Sequence, residues 1–581
     1  MHVRRYGLWA VLAVLVAAAA AFAVVRVKRG RDLQALARLF DGPATEVVAG
    51  ESGFIPRPTY DMRSYAGIDA LTSASLIARL ACPSTYLDRR PADVLTITYP
   101  PEGAVFPANL CEPEVEWEDP RNDLWQVSVG LEGQPAQYQE VVDGRRWWFP
   151  RHLWEDLHSD PSADSGNAGG RPLTAGRGFW VQVKGVRRPA VGRTPAGAPA
   201  VEASRPVHLG ISPYPADNYL VYRLVGVPFD IQRAPDTFIR DIRTFEESPF
   251  LLGREKYCFN CHNFSSKTGV RGKVAYQCRY LGPEQFPLRT YFAIYDFDSG
   301  RGWRAELPYP IQMTTFVAWS PDGTTLALSA NQYIVAAQPI TLETQLAGEN
   351  TSDLAIYDLA RGRTWLLPGA DRPDRLEIHP QWTPDGSAIV FCLASPGHHP
   401  ALVPFDLAVI PYNDGAGGVP RLIPGASANG RSNYYPRFSP DGRWLSFCEC
   451  DGGDLIRPSS DIYLLPANLE GQAHRLESNA PYAADSWHSW SSNSHWLVFA
   501  TKRDDGTYAR LYFTEIDTEG HASPAVRLPV REDRLASFNI PEFVAERPPV
   551  TERQLYEAIR VEQPSVSVSP SPIPGSRRAE Q

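Results

Sequence analysis

The sequence predicts an all-β protein whose larger part is a β-propeller. The chain has 15 tryptophans and 25 tyrosines but only 3 methionines. This composition favours a strand-rich protein over a helical bundle. The 53 prolines and 44 glycines indicate a chain that turns often. A repeated unit in the second half of the 581 residues then indicates propeller blades.

The repeated unit is a tight-turn sequence that lies between an aromatic residue and an apolar strand. Within Ser/Thr-Pro-Asp-Gly, proline fixes φ and glycine supplies the positive φ that a turn between two inner strands requires. The aromatic residue recurs at intervals of roughly 50 to 60 residues, which is typical of propeller blades. The units are residues 319–323, 382–386, 438–442 and, in degenerate form, 490–494. A weaker blade near 270–308 is a fifth; the propeller is predicted over 269–545 and its blade number stays open.

Residues 93–240 are predicted to form an immunoglobulin- or fibronectin-like β-sandwich. An alternating strand at 94–99 is followed by a turn and a second alternating strand that ends in Trp117. Further strands are expected at 125–130, 178–184 and 207–212. The stretches between them are rich in Gly, Pro, Ala and Ser and indicate loops.

Between the two predicted domains, in segment 241–268, lies a Cys-x-x-Cys-His sequence. This spacing lets the thiols of Cys258 and Cys261 form thioethers with the two vinyl groups of one haem, while His262 reaches the iron as the proximal ligand. The sequence therefore predicts one covalently attached haem c. Two alternatives stay open: a redox disulfide between the two cysteines, and half of a zinc site.

His488 is the candidate distal iron ligand. It occupies the position two residues before the aromatic residue of its repeat, aligned with Pro380 and Pro436. That position lies where an inner strand begins, near one face of the propeller. The alternatives are a hydrogen bond from His488 to a neighbouring blade, and a haem iron with only five ligands.

Residues 1–31 are predicted to be a signal anchor. Arg4 and Arg5 precede the apolar run 7–25, which is just long enough to span a bilayer as a helix. Four basic residues after the run would by charge bias alone keep the rest of the chain in the cytoplasm. Covalent attachment of haem requires the extracytoplasmic side of the membrane. We therefore expect a single-pass protein of the bacterial inner membrane with its bulk in the periplasm or another extracytoplasmic space. Whether the anchor is cleaved stays open.

The remaining segments carry less information. Residues 32–92 are a predicted juxtamembrane region, and 546–581 are a predicted disordered tail in which 546–560 could hold a short helix. The formal charge of −9, with no basic domain, argues against a nucleic acid partner.

The repeats resemble the TolB-like β-propeller family, whose blades carry the same Ser-Pro-Asp-Gly turn. Over residues 93–545 the chain is similar to bacterial proteins that combine a sandwich-like region, a Cys-x-x-Cys-His segment and this propeller. The resemblance implies that architecture and a bound haem. Such proteins often carry a further histidine shortly after the motif, where this chain has Ala275, Tyr276, Gln277 and Cys278. The matching stretches are 222–225, 245–250, 258–264, 488–494 and 539–543.

Two functions follow from these predictions. The first is electron transfer or redox sensing by a membrane-tethered haem protein, with a redox or envelope protein docked on the propeller. The alternative is a TolB-like scaffold that binds protein or glycan and has no redox role. A hydrolase is not expected, because no Gly-x-Ser-x-Gly sequence is present and only about fifty residues follow the last predicted blade.

Overall fold

The computed structural model describes residues 94–158, 177–187, 201–226, 236–254, 257–265, 271–280, 290–305, 307, 314–331, 334–335, 346–347, 352–398, 402–532 and 534–560. All of them belong to one compact unit. The predicted anchor, the juxtamembrane region and the tail beyond residue 560 lie outside the described residues. Within the described ranges, no helix has both the length and the apolar character needed to cross a membrane.

The first part of the described chain forms two sheets and one helix. Strands β1, β3 and β6 form a three-stranded sheet, and β2, β9, β7, β4 and β5 lie side by side in a second sheet, with β8 paired to β7. The elements are β1 (Thr96–Tyr99), β2 (Val105–Phe106), β3 (Glu114–Glu118), β4 (Leu124–Leu131), β5 (Tyr138–Val142), β6 (Arg146–Trp148), α1 (Arg151–His158), β7 (Arg177–Val186), β8 (Val201–Ala203) and β9 (Val207–Ile211).

Aromatic side chains join the two sheets into a sandwich. Trp117 of β3 meets Trp125 of β4 edge to face, with ring centroids 6.0 Å apart. Phe149, just after β6, meets Phe179 of β7 at 5.9 Å. Val115 and Trp117 of β3 and Trp125, Val127 and Val129 of β4 are buried at alternate positions, which places one face of each strand in the core. Each strand that the sequence predicts in this region overlaps a strand of the structure.

The rest of the described chain forms six four-stranded antiparallel sheets, the blades of a propeller. In the order from the inner to the outer strand they are blade 1, β13 (Tyr257–Phe264), β14 (Lys273–Tyr280), β15 (Thr290–Asp296) and β16 (Arg301–Ala305); blade 2, β17 (Thr314–Trp319), β18 (Thr325–Ala330), β21 (Asp353–Asp358) and β22 (Arg363–Leu366); blade 3, β23 (Leu376–Trp382), β24 (Ala388–Ala394), β25 (Asp406–Pro411) and β26 (Arg421–Leu422); blade 4, β27 (Ser432–Phe438), β28 (Trp444–Cys450), β29 (Asp461–Pro466) and β30 (His474–Arg475); blade 5, β31 (Ser486–Trp490), β32 (Trp496–Thr501), β33 (Arg510–Glu515) and β34 (Val526–Arg527); and blade 6, β35 (Ala536–Val544), β10 (Tyr219–Gly226), β11 (Asp236–Asp241) and β12 (Glu247–Leu251). A small hairpin, β19 (Ile334–Val335) and β20 (Leu346–Ala347), projects from blade 2.

Blade 6 closes the propeller with strands from two distant parts of the chain. Its inner strand β35 pairs antiparallel with β10, although more than three hundred residues separate them. Strand β10, which pairs with β11 on one side, thereby obtains its second partner from the far end of the chain. Helix α2 (Glu552–Ile559) follows β35, begins with a Thr551 capping box and packs its apolar face against blade 1.

The hydroxyl group that begins each turn explains the repeated sequence. In three copies Ser320, Thr383 and Ser439 accept a hydrogen bond, each 3.0 Å long, from the N–H five residues later. The turn glycine has a φ of +67°, +71° or +70° in these copies. In the degenerate copy Ser494 takes that position with a φ of +63°, so the turn persists without glycine.

Two predicted boundaries differ from the sheet topology. Strands β10 and β11, within the predicted sandwich of 93–240, belong to blade 6. The predicted haem segment 241–268 is no linker: it contains β12 of blade 6 and β13, the inner strand of blade 1. Neither blade carries the turn repeat, so the sequence pattern gave no sign that strands before residue 269 belong to the propeller.

Candidate functional site

The six inner strands share an irregularity that shapes the propeller centre. In every blade the pairing of the inner strand with its neighbour shifts register at its middle. Four residues there, each three positions before the last aromatic residue of the strand, have left-handed backbone: His379, Tyr435, Trp487 and Ile540, with φ between +51° and +56°. Such backbone costs about 1–2 kcal/mol for a non-glycine residue, so its repetition indicates a structural requirement.

These shifted residues close the central channel. Phe316 of blade 2 lies 6.3 Å from Trp487 of blade 5, and because these blades are not neighbours the contact crosses the channel. Phe316 also packs on His379 at 3.9 Å, and Tyr435 on Trp487 at 5.0 Å. We call the six equivalent residues the inner layer: Cys261, Phe316, His379, Tyr435, Trp487 and Ile540. All six are buried.

A loop of blade 4 covers the inner layer on one side. Residues 451–460 connect β28 to β29, and Asp454 in this loop binds His379 through a hydrogen bond of 2.9 Å from Nε2 to Oδ2. Both side chains are almost completely buried. Burial lowers the pKa of His379, and the Asp454 carboxylate opposes this shift only in part. The imidazole is therefore neutral at pH 7 and fixes the loop as a hydrogen-bonding partner rather than as a charge.

On the other side, towards the tight turns, the channel is lined by polar groups. The residues immediately before the last aromatic residue of each inner strand form what we call the polar layer: Asn263, Ala318, Gln381, Arg437, Ser489 and Glu542. The amide of Asn263 donates to Glu542 Oε1 at 2.9 Å. Asn263, Gln381 and Arg437 are partly exposed, so solvent reaches this end of the channel.

Arg437 is the polar-layer residue best placed to bind a ligand. Its Nη1 donates to Gln381 Oε1 at 3.1 Å, and its guanidinium carbon lies 4.2 Å from the centre of the Tyr435 ring. These two contacts hold the planar group in one orientation. Among the described residues, no carboxylate oxygen lies within 4.0 Å of Arg437. A fixed guanidinium without an acidic partner suits bidentate binding of a carboxylate.

The predicted haem residues lie inside blade 1. Cys261 belongs to the inner layer and is 7% exposed, and it packs in one cluster with Phe316, Tyr435 and Trp487. His262 is 2% exposed, and its ring lies 6.2 Å from that of Phe264 and 6.0 Å from that of Tyr276. The backbone of Cys258 lies in β13, while its side chain is outside the described part.

The placement of these residues does not fit a haem. A c-type haem needs open space beside the imidazole for a flat macrocycle with two thioether bonds, and packed aromatic rings enclose His262 instead. Within the described ranges, no group of three or more His, Cys, Asp and Glu side chains is arranged around a metal position. Covalent haem at Cys258 and Cys261 stays a prediction from the motif, and we derive no step through it.

His488 takes the position in blade 5 that His262 takes in blade 1. The Nδ1 atom of His488 lies 3.6 Å from Cys448 Sγ of blade 4, so the contact with a neighbouring blade is the arrangement observed. Burial, followed by the charge of Arg437, lowers the pKa of His488 to about 3, so the side chain is neutral at physiological pH.

No sequence motif singles out Arg437 or Glu542. Each stands one residue before an aromatic residue, Phe438 in a repeat and Phe543 in the stretch 539–543. Comparing that position across the blades would have shown an arginine and a glutamate among mostly neutral residues. What the sequence could not show is that this position faces the channel, because the register shift decides it.

No family model matches the chain, and no curated protein sequence matches it significantly. The chain is similar in structure to TolB from Acinetobacter baumannii, with 14% identity and a TM-score of 0.37 over 63% of this chain and 79% of that one. It is also similar to a hypothetical selenium-binding protein from Sulfolobus tokodaii, with 8% identity and a TM-score of 0.35 over 58% and 96%. The β-propeller domain of the Trilobed protease from Pyrococcus furiosus gives 10% identity and 0.28 over 47% and 72%. Scores this low carry no argument about function. The six four-stranded sheets found in the described residues establish on their own that the chain contains a β-propeller.

Proposed function

We propose that the propeller is a binding scaffold that holds a carboxylate-bearing ligand at the polar layer of its channel. The supporting observation is Arg437, a guanidinium fixed by Gln381 and Tyr435 that has no acidic partner in the described chain. The Gln381 amide beside it offers a further hydrogen bond to such a ligand. The inner layer forms an apolar floor behind it.

Two sources of the carboxylate are distinguished by experiment: an acidic peptide segment of a protein partner, and a glycan that contains uronic acid. Fluorescence anisotropy on the purified full chain would compare a labelled Glu-rich peptide with an oligo-uronate. A Gln-rich peptide and a neutral oligosaccharide serve as uncharged references. Binding should weaken as salt is added, because the ligand contact is between charges that solvent reaches.

The decisive variant is Arg437→Gln, which removes the charge and keeps a hydrogen-bonding side chain. Its matched control is Arg443→Gln, at the turn of the same blade, where the guanidinium already pairs with Asp441. Losing a charged hydrogen bond should weaken binding about ten-fold or more in the first variant only. If neither acidic probe binds, or if both variants bind as the unchanged protein does, the proposal is wrong.

The alternative proposal is the haem protein in electron transfer or redox sensing, tethered to the membrane by residues 1–31. Its support is the Cys258-Phe-Asn-Cys-His motif together with the predicted anchor. An extracytoplasmic location and a redox or envelope partner belong to this proposal. A haem assay on the purified protein separates the two proposals, because the scaffold needs no haem.

A further inference from the structure

The junction between blades 2 and 3 brings two carboxyl groups together. The N–H of Glu377 in β23 donates to the main-chain oxygen and the hydroxyl of Ser352, at 3.1 and 3.0 Å. Asp353 follows at the start of β21. Leu376 and Ile378, on either side of Glu377, belong to the core cluster that continues into blade 4. Because side chains alternate along a strand, Glu377 faces the other way, towards blade 2 and Asp353.

Glu377 is buried without a side-chain partner in the described structure. Its side chain is 0% exposed, and neither carboxyl oxygen accepts a hydrogen bond of good geometry, although the main-chain N–H of Arg372 approaches the group. Burial first, and the neighbouring charge of Asp353 second, raise the pKa of Glu377 to about 8, while Arg372 offsets this only in part. In the described part of the chain, neither Glu377 nor Asp353 lies within 4.0 Å of a basic side chain. A buried carboxyl group in this state is costly unless something compensates it.

The equivalent junction between blades 4 and 5 shows how the protein compensates such a pair. Asp485 stands five residues before Trp490, as Glu377 stands five before Trp382, and Asp461 begins the preceding blade's third strand as Asp353 does. There Arg503 lies 3.0 Å from Asp485, and Arg475 lies 2.7 Å from Asp461. Two carboxylates are therefore matched by two guanidinium groups.

The junction between blades 3 and 4 has a neutral residue where blade 3 has the buried carboxyl group. Asn433 takes the position of Glu377, and its neutral amide donates to the main-chain oxygen of Phe405 at 3.3 Å. The carboxylates nearby are also matched: Asp406 accepts a hydrogen bond from the N–H of Ala428, and Glu449 pairs with Arg431 at 3.2 Å. Of these three junctions in the described chain, the one between blades 2 and 3 alone has two carboxyl groups with no basic side chain within 4.0 Å of either.

We propose that Glu377, Asp353 and Asn331 bind a calcium ion at the junction of blades 2 and 3. Asn331 directly follows β18 and donates a hydrogen bond to Asp353, which places its amide beside that carboxyl group. Carboxylate and amide oxygens suit hard cations, and two carboxylates match a charge of +2. Calcium is favoured over magnesium because magnesium retains most of its water, for which a completely buried glutamate leaves little room. Since only two ligands are acidic, main-chain carbonyl and water oxygens would complete the coordination.

Isothermal titration of the chelator-treated full chain with calcium chloride tests this site directly. One calcium ion per chain should bind, and the melting temperature should rise with calcium concentration, because the ion binds only the folded state. Magnesium chloride should bind more weakly. Glu377→Gln should weaken calcium binding about ten-fold or more and abolish the thermal shift. The control Glu470→Gln changes an exposed acid in the loop after β29 and should leave both unchanged.

Asp353→Asn is the second variant, in case Glu377→Gln fails to fold. It should reduce calcium affinity to a similar degree, because it also removes one of the two charges. The proposal is overturned if the unchanged protein takes up no calcium, if magnesium binds as tightly, or if the folded site variants titrate like Glu470→Gln. The carboxylate scaffold at Arg437 could fail without affecting any of these results.

Discussion

Replacing Glu377 by glutamine should stabilise the protein in a chelator at high pH and do much less at low pH. The folded chain raises the pKa of this carboxyl group from 4.5 to about 8. Between these values the folded chain holds a proton that the unfolded chain has released, so stability falls as the pH rises through the window. The charged and titratable groups that face Glu377 are Asp353, Asp371 and Arg372.

The magnitude follows from the size of the shift. A pKa raised from 4.5 to about 8 corresponds to a free energy of about 5 kcal/mol. If the full shift is present in the folded protein, the free energy of unfolding is lower by this amount above pH 8 than at low pH. Glutamine has nearly the same shape and no charge, so it avoids this loss while retaining the packing. The free energy of unfolding of Glu377→Gln should therefore exceed that of the unchanged protein only slightly near pH 5 and by several kcal/mol near pH 9.

Urea denaturation in EDTA at pH 5, 7 and 9 measures the effect. Glu470→Gln, an exposed acid, serves as the control and should track the unchanged protein at every pH. A gain for Glu377→Gln that is the same at pH 5 and pH 9 would refute the reasoning, because a buried carboxyl group with a raised pKa must produce a pH-dependent difference. A loss at all three values would show that glutamine is excluded on steric grounds.

Three further predictions concern the domain interface, the channel and the motif. Arg527→Ala should cost about 2–3 kcal/mol in urea denaturation, since it removes a charged hydrogen bond to the buried Glu114 and leaves that carboxylate with Arg146 alone. Arg361→Ala at an exposed ion pair should cost under about 0.5 kcal/mol, and equal losses would contradict this. Trp487→Ala should cost about 3–5 kcal/mol by opening a cavity in the inner layer, and a loss under about 1 kcal/mol would show that the channel is loosely packed. The full chain made with the cytochrome c maturation system should give no pyridine haemochrome signal; a covalent signal that disappears in Cys261→Ser would establish the haem protein instead.

The blades marked by the turn repeat could be predicted because their signal is local. The hydroxyl, proline, aspartate and glycine of each turn determine its geometry within five residues, so blades 2 to 5 are visible in the sequence. Blade 1 was predicted only weakly, from the strand 291–296, because it lacks the turn sequence. Blade 6 was missed, because its pairing between β35 and β10 joins segments with no shared pattern.

The candidate site was harder to predict than the fold. The Cys-x-x-Cys-His spacing drew attention to 258–262, and the structure places that segment in an inner strand whose middle faces a closed channel. Arg437 carries no motif of its own, and its meaning depends on which way a register shift turns it. Asp485 has an arginine partner, and Glu377 has no such side chain within 4.0 Å among the described residues. This difference is likewise found only when equivalent positions of different blades are compared in space.

The strand that completes blade 6 has a consequence for synthesis of the chain. Strand β10 leaves the ribosome early, and its inner edge has no partner until β35 is made. During that interval, an apolar strand with unpaired N–H and C=O groups is open to pairing with other chains. The ring therefore closes last, through a contact of very long sequence separation, which is a slow step in folding. Early translation products that lack residues 536–544 should be the species most prone to aggregate.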